Sequence, residues 1–296
     1  MYTLFAYTRD PAQRVVRFAV DQDVQTEMTE FLEAQVEYFD REREEFAFDG
    51  KYKPDPGEML IIDEFDDIDN LCDAIAAPIN FPVADPASLP FDQIKALFFG
   101  KPDDDGETSV YFQVFDRRKL ISSTGFSIFH AQNVYKKIEG TGLILDNKIM
   151  ARLKGNVLKF PSFYHVRQIF DMTSYYQEAT DADIREFATI EQIQVTDLDA
   201  LVAASDSWIR KKLWLIKTSG ILERVPPNDI RAIAAEFNIP VHYEQVDGTE
   251  RLQLPEDKKA LKTLLRFLEE DYYKSPLSKT NFVTNSKRAL SANSAE

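Results

Sequence analysis

KIMARLKGNVLKF, residues 148–160, is the stretch on which the fold turns. Ile149, Ala151 and Leu153 alternate with Lys148, Arg152 and Lys154, the period of two of a β-strand with one buried face. Gly155-Asn156 supplies a two-residue turn, and residues 157–160 return as a second strand. The pair reads as a hairpin whose cationic side chains share one face. It also marks a change of regime: strands and helices are mixed on its N-terminal side, and helices dominate on its C-terminal side.

Toward the N-terminus, residues 3–7, 15–20, 59–62, 96–99, 110–115 and 143–145 read as strands. Met28, Phe31, Leu32, Val36 and Phe39 recur at helical spacing within residues 21–39, and residues 66–77 read as a second helix. Pro78, Pro82, Pro86 and Pro90 break the chain into a loop, and Asp103-Asp104-Asp105-Gly106 is an acidic turn. Toward the C-terminus, helices are expected at 163–177, 181–188, 197–203, 207–218, 229–237 (with Asn228 as N-cap) and 256–272. Residues 240–254 read as a hairpin turning at Asp247-Gly248, residues 282–290 as a strand or ordered arm, and 291–296 as a frayed end. The expected class is α+β: a strand-rich N-terminal and central region followed by a helix-rich C-terminal region with a β-hairpin. The expected division is an acidic α/β domain over residues 1–160 and a helix-rich domain with basic clusters over 161–296, or one compact unit.

Charge divides the chain in a similar way. Residues 1–107 hold 9 Lys and Arg against 26 Asp and Glu, whereas residues 108–296 hold 26 against 24, for a total of −15. The first third would repel a polyanion and the remainder could face one. Cys72 is the one cysteine, so an internal disulfide is excluded. The start MYTLFAYTRD lacks the basic end and long apolar run of a signal peptide, and no apolar run nears membrane-span length. A cytoplasmic location is expected, with any membrane recruitment made through a partner.

Familiar catalytic patterns are missing. Walker A, Rossmann and HExxH motifs do not occur, Gly140-Thr141-Gly142 lacks the third glycine, and Gly125-Phe126-Ser127 lacks the glycine that completes a nucleophile elbow. His130, His165 and His242 have no ligand spacing, so no metal or other cofactor is expected. Asp63, Glu64, Asp66, Asp67 and Asp69 would suit a metal-dependent nuclease only with a nearby lysine, which the sequence does not place there.

Three segments are locally basic and interleaved with aromatic or hydroxyl residues. The first, residues 148–167, carries Lys148, Arg152, Lys154, Lys159 and Arg167 with Phe160, Phe163 and Tyr164. In the second, Ile209, Leu213 and Ile216 form the buried stripe of a helix while Arg210, Trp214 and Lys217 share another face beside Lys211 and Lys212. In the third, Lys274, Ser275, Ser278, Lys279 and Thr280 precede Asn285, Ser286, Lys287 and Arg288. Cations, amides and hydroxyls are the donors that meet a phosphate backbone. The expected DNA-contacting residues are Lys154, Lys159, Arg210, Lys211, Lys212, Lys217, Lys287 and Arg288, with Trp214 for stacking. The helices followed by the hairpin over 241–254 also suggest a winged helix, although the turn of that wing is not strongly basic.

The C-terminal third carries the most distinctive text. Val246-Asp247-Gly248, Leu252-Gln253-Leu254-Pro255, the run Leu264 to Ser278 with its Asp271-Tyr272-Tyr273-Lys274-Ser275-Pro276-Leu277 centre, and the Asn285-Ser286-Lys287-Arg288 end resemble the B component of the bacterial Kiwa anti-phage defence system, the KwaB-like family. Residues 153–160 are similar as well, so the resemblance spans roughly residues 140–290. It implies a cytosolic effector that binds DNA, interferes with phage replication or transcription, forms a homodimer and works beside a membrane-embedded A component; the leading expectation is that the effector is non-enzymatic. On that expectation the acidic first third faces away from DNA, contacts the partner, or holds the binding face shut. Two other classes stay open: a nuclease whose carboxylates converge from distant positions, and a sensor or scaffold whose basic patches serve folding or a partner.

Overall fold

The computed structural model describes residues 1–66, 70–85, 93–121, 128–131, 133–137 and 141–288. Asp67, Asp69, Pro86, Pro90, residues 125–127, Gly140 and residues 289–296 lie outside these. The fold is α+β, and the chain separates into two compact units, one of Met1–Phe48 with Lys53–Met172, the other of Asp49–Tyr52 with the chain from Thr173 onward.

Unit 1 is built on an eight-stranded sheet. Its strands are β1 (Phe5–Thr8), β2 (Val15–Arg17), β3 (Glu44–Ala47), β4 (Glu58–Ile62), β5 (Ile94–Pro102), β6 (Thr108–Val114), β11 (Ala151–Lys154) and β12 (Val157–Phe160), ordered β2-β1-β5-β6-β11-β12-β4-β3. Only β3–β4 is parallel. Two small ribbons lie between β6 and β11 in the chain: β7 (Leu120–Ile121) with β10 (Gly142–Leu143), and β8 (Ile128–Ala131) with β9 (Val134–Lys137). The opening stretch forms the expected β11–β12 hairpin, with Gly155 at φ +55 as the first of its two turn residues, as a type II′ turn requires. Strand β11 begins at Ala151, so Lys148 stands outside it.

Alternation along the strands assigns the two sheet faces. Phe98 stacks on Phe5 at 5.0 Å, and Phe112 meets Phe170 on the same side. Phe99 stacks on Tyr111 at 5.7 Å on the other side, under helix α1 (Gln22–Phe39), whose Phe39 packs edge-on to Tyr111. Helix α1 buries Met28, Leu32, Gln35, Val36 and Phe39, while Phe31, expected in that stripe, is exposed. Buried Gln113 donates to Gln35 Oε1 (2.8 Å) and to the Asp146 carbonyl (2.8 Å), tying α1 to the sheet and to the turn before β11.

Helix α2 (Leu71–Ala76) and helix α3 (Phe163–Ile169) pack on β5 and β6. The sequence suggested helix from 66 to 77 and from 163 to 177; both helices are shorter. Helix α3 stops because Phe170 turns extended and enters an aromatic cluster with Tyr7, Phe65 and Phe112. That packing keeps residues through Met172 in unit 1, so the division falls after Met172 instead of at 160/161.

Unit 2 contains helices α4 (Asp181–Phe187), α5 (Leu198–Ala204), α6 (Ser207–Ser219), α7 (Ile221–Arg224), α8 (Pro227–Glu236) and α9 (Lys258–Leu268). Strands β13 (Ile193–Gln194), β14 (Tyr243–Val246) and β15 (Thr249–Gln253) form a sheet ordered β13-β15-β14, and β16 (Tyr272–Lys274) pairs with β17 (Asn281–Val283). The helices start on side-chain caps: Thr180 and Asp183 make a capping box for α4, and Asp197, Asp206 and Asp257 cap α5, α6 and α9. Helix α8 differs from expectation. Pro227 opens it at the first helical position, which suits a residue without an N–H, and Asn228 falls inside the first turn. Asp247 (φ +53) and Gly248 (φ +83) form the tight turn of the β14–β15 hairpin. The order helix, strand, helix, helix and then hairpin matches a winged helix in outline, but α7 and α8 intervene and β13 runs parallel to β15. The core joins Ile209, Leu213 and Ile216 of α6 to Leu261, Leu264, Leu265 and Leu268 of α9.

Candidate nucleic-acid interface and a buried lysine–carboxylate cluster

In unit 1 the expected cationic face exists, and its charges are matched within the fold. Opposite residues of antiparallel strands share a face, so Tyr111, Arg152 and Lys159 form one row across β6, β11 and β12. Arg152 donates to Asp40 (2.8 Å), just past the C-terminus of α1, and the Tyr111 hydroxyl donates to the same carboxylate (2.6 Å). Burial and then the Asp40 hydrogen bond push the Tyr111 phenol far above its ordinary range. Lys159 pairs with Glu45. Lys154 pairs with Asp105 (2.6 Å) and Asp103 (3.0 Å) of the acidic turn, and those hydrogen bonds raise its pKa.

Helix α6 divides its cations among different surroundings. Arg210 donates to Asp181 (2.6 Å) and to the Ala179 and Ser205 carbonyls. Lys217 pairs with Glu186 (2.6 Å) and lies 5.9 Å from the Trp214 ring centre, and Trp214 packs half-buried against the core. Lys212 points inward. Its position, three residues after Ile209 and four before Ile216, lies on the apolar stripe itself.

Three of the expected DNA-contacting residues, Lys211, Lys212 and Lys287, meet around two carboxylates. Glu269 and Asp271 are 5% and 3% exposed. Lys212 donates to Glu269 and to Asp271 (2.6 Å); Lys287 reaches the Glu269 carbonyl, the Glu269 carboxylate (2.8 Å) and Asp271 (3.1 Å). Glu270 between them holds φ +61, a left-handed conformation that turns both neighbours inward. Burial works against ionising Glu269, but hydrogen bonds from Asp271, Lys212 and Lys287 win and hold it below its ordinary value. Burial and the hydrogen bond with Glu269 push Asp271 up, so the pair favours sharing a proton. Lys211 donates to the Gly50 carbonyl (2.5 Å) and stands 4.3 Å from the Tyr176 ring centre; burial, and then Lys212, lower its pKa to about 8. Lys51 approaches Glu269 at 3.7 Å, and Arg288 lies over Tyr52 at 5.1 Å. The residual cavity is about 30 Å³, room for one water and for no substrate. The runs Leu264–Ser278 and Asn285–Arg288 therefore meet at this cluster, which ties the arm after α9 back onto α6.

Part of the exposed cationic surface of unit 2 lies on α9, outside the three basic segments picked out from the sequence. Helix α9 places Lys258, Lys262 and Arg266 four residues apart on one face, beside Lys259. Lys212, Lys262 and Arg266 surround the Trp208 ring at 5.4 to 5.6 Å. Asp206 receives Lys262 (2.7 Å) and Lys258 (3.1 Å), and these hold its carboxyl far below the ordinary range. The four-residue spacing of these bases was the available signal. The β16–β17 ribbon adds exposed Lys274 and Lys279 and a stacked Tyr273–Phe282 pair at 5.3 Å.

Among the described residues, no group of three or more His, Cys, Asp and Glu side chains could hold a metal ion, and no helix is long and apolar enough to cross a membrane. No protein-family model, curated protein or solved structure matches the chain.

Proposed function

We propose that this protein is a non-enzymatic, DNA-binding effector of anti-phage defence. It grips backbone phosphates with little regard to sequence and obstructs phage replication or transcription. It works as a cytoplasmic homodimer recruited to the inner membrane by a membrane-embedded partner of the Kiwa A type. The observation that carries the binding reading is the outward face of α9, which presents Lys258, Lys259, Lys262 and Arg266 together, with Lys262 and Arg266 over Trp208 and Lys258 and Lys262 on Asp206. Exposed lysines meet phosphates, and an indole among cations offers a stacking surface. A net charge of −15 opposes the approach to DNA, so a second copy or the partner gathers enough positive surface to hold it.

Fluorescence anisotropy with a labelled duplex across a salt series tests this. Three or four neutralised phosphates give a slope of log K on log salt of about −3. The combined Lys258→Glu, Lys259→Glu and Lys262→Glu variant should lose at least about tenfold in affinity, whereas Lys154→Ala should keep it. Absence of binding at low salt, or equal binding by the triple variant, overturns the reading.

A further inference from the structure

Unit 1 contains a cavity of about 690 Å³, within the roughly 300–1,000 Å³ of small-molecule sites. Its walls are one flank of α1, from exposed Phe31 and Tyr38 to buried Gln35 and Phe39, the segment leading into β11 and the approach to α3. In a unit rich in acids, no Asp or Glu lines it. Its charged groups are Arg43 and Lys148, joined by the imidazole of His165. Lys148 is exposed and has no carboxylate partner among the described residues, unlike Arg152, Lys154 and Lys159. Phe31 and Tyr38, 43% and 60% exposed, stand two turns apart on α1, about 10 Å along its axis. The Arg41 and Arg43 guanidiniums each lie 5.1 Å from the Tyr38 ring centre, which stiffens that ring beside two cations. Ser162 precedes α3 without capping it by its side chain, so its hydroxyl can serve a ligand. Burial lowers the pKa of His165, leaving a neutral hydrogen-bonding ring at neutral pH.

We propose that this cavity binds a free nucleoside phosphate, with the base against Phe31 and Tyr38 and the phosphate toward Lys148 and Arg43. Aromatic rings accept any base by stacking, while an ammonium, a guanidinium and a hydroxyl are a phosphate-binding set. An apolar ligand would leave Lys148 and Arg43 without a role in its recognition, and a bare inorganic anion would leave the aromatic wall unused. The site shares no residue with α9, so its test is independent of the DNA-binding test.

Titration calorimetry on the full chain tests it with AMP, GMP, CMP, UMP and their triphosphates, with adenosine and inorganic pyrophosphate as controls. At least one nucleotide should bind saturably below about 1 mM, and both controls should bind it at least about tenfold more weakly. Lys148→Glu and Tyr38→Ala alter exposed side chains; each should retain the native circular dichroism and lose about tenfold or more in affinity. The proposal is overturned if no nucleotide binds, if pyrophosphate binds as tightly as the best nucleotide, or if both folded variants bind like the parent chain.

Discussion

Arg152 and Lys159 on the large sheet and Lys212 in unit 2 carry the same charge into different settings. The sheet cations stand on inner strands, β11 and β12, but their ion pairs lie at the solvent rim of the fold: Asp40 and Glu45, their partners, keep 29% and 42% of their side-chain surface in water. Lys212 faces carboxylates that keep 3% and 4%. Water can replace a lost partner at the rim but has little access to the cluster. The two regions therefore teach that a basic run in sequence says little until the burial of its partners is known. A rim pair contributes about 0–1 kcal/mol, whereas breaking a buried one strands an uncompensated charge.

The largest effect should follow from breaking the buried side. Lys212→Met should cost about 3–5 kcal/mol, because Glu269 and Asp271 lose the ammonium between them. Both tryptophans, Trp208 and Trp214, lie on α6, so urea unfolding followed by tryptophan fluorescence reports on unit 2. Adding Asp271→Asn should restore part of the loss, because Glu269 still pairs with Lys287 and no second carboxylate is left without a cation. A cost below about 1 kcal/mol for the single variant would place Lys212 with the rim pairs.

The same cluster should give unit 2 a pH signature. Lys211 has its folded pKa lowered from 10.5 to about 8, so the unfolded chain binds more protons between those values. Stability from this group is therefore complete above about pH 10.5 and is lost as pH falls through about 8. Urea midpoints measured across that window should rise with pH in the parent chain relative to Lys211→Met. Parallel pH curves for the two proteins would mean that Lys211 titrates as a solvated lysine.

The β11–β12 turn supplies a smaller test on the other side of the comparison. Gly155 holds φ +55, and an added Cβ would meet Glu107 Oε2 at 2.8 Å. Gly155→Ala should cost about 1–2 kcal/mol, mostly from the left-handed backbone, since the carboxylate end can move aside. Denaturation followed by far-ultraviolet circular dichroism measures it, and an unchanged midpoint would show that the turn relaxes freely.

The period-two alternation at 151–160, the helical spacing at 28–39 and the Asp247-Gly248 turn were legible because each is a local pattern. Even Lys212 left a trace, since residues 209, 212, 213 and 216 lie on one helical face. Its charge led the reading toward solvent, because the partners that make burial tolerable lie at 269 and 271. The early end of α3 was hidden for a related reason: Phe170 leaves the helix for an aromatic cluster assembled from Tyr7, Phe65 and Phe112. The α9 surface is less conspicuous in the sequence, although Lys258, Lys262 and Arg266 stand at plain four-residue spacing. Locally dense basic runs drew attention instead, yet outward direction depends on which stripe, here Leu261, Leu264, Leu265 and Leu268, is buried.

The smallest expected effect is the one that isolates burial as the cause. Arg152→Ala and Lys159→Ala should each cost less than about 1 kcal/mol, measured as for Gly155→Ala. After Arg152→Ala, Asp40 still accepts from the Tyr111 hydroxyl, so its charge retains a donor and some water. After Lys159→Ala, Glu45 is exposed enough to rehydrate. Both substitutions leave the backbone pairing of β11 with β12 untouched, because the ladder uses main-chain groups only. If Arg152→Ala nevertheless costs as much as Lys212→Met, partner burial does not separate the two regions; the Asp40–Tyr111–Arg152 network would then be coupled strongly enough to act as a buried one. A double-mutant cycle with Tyr111→Phe decides between these outcomes, since a coupling energy near zero is expected only when water screens the pair.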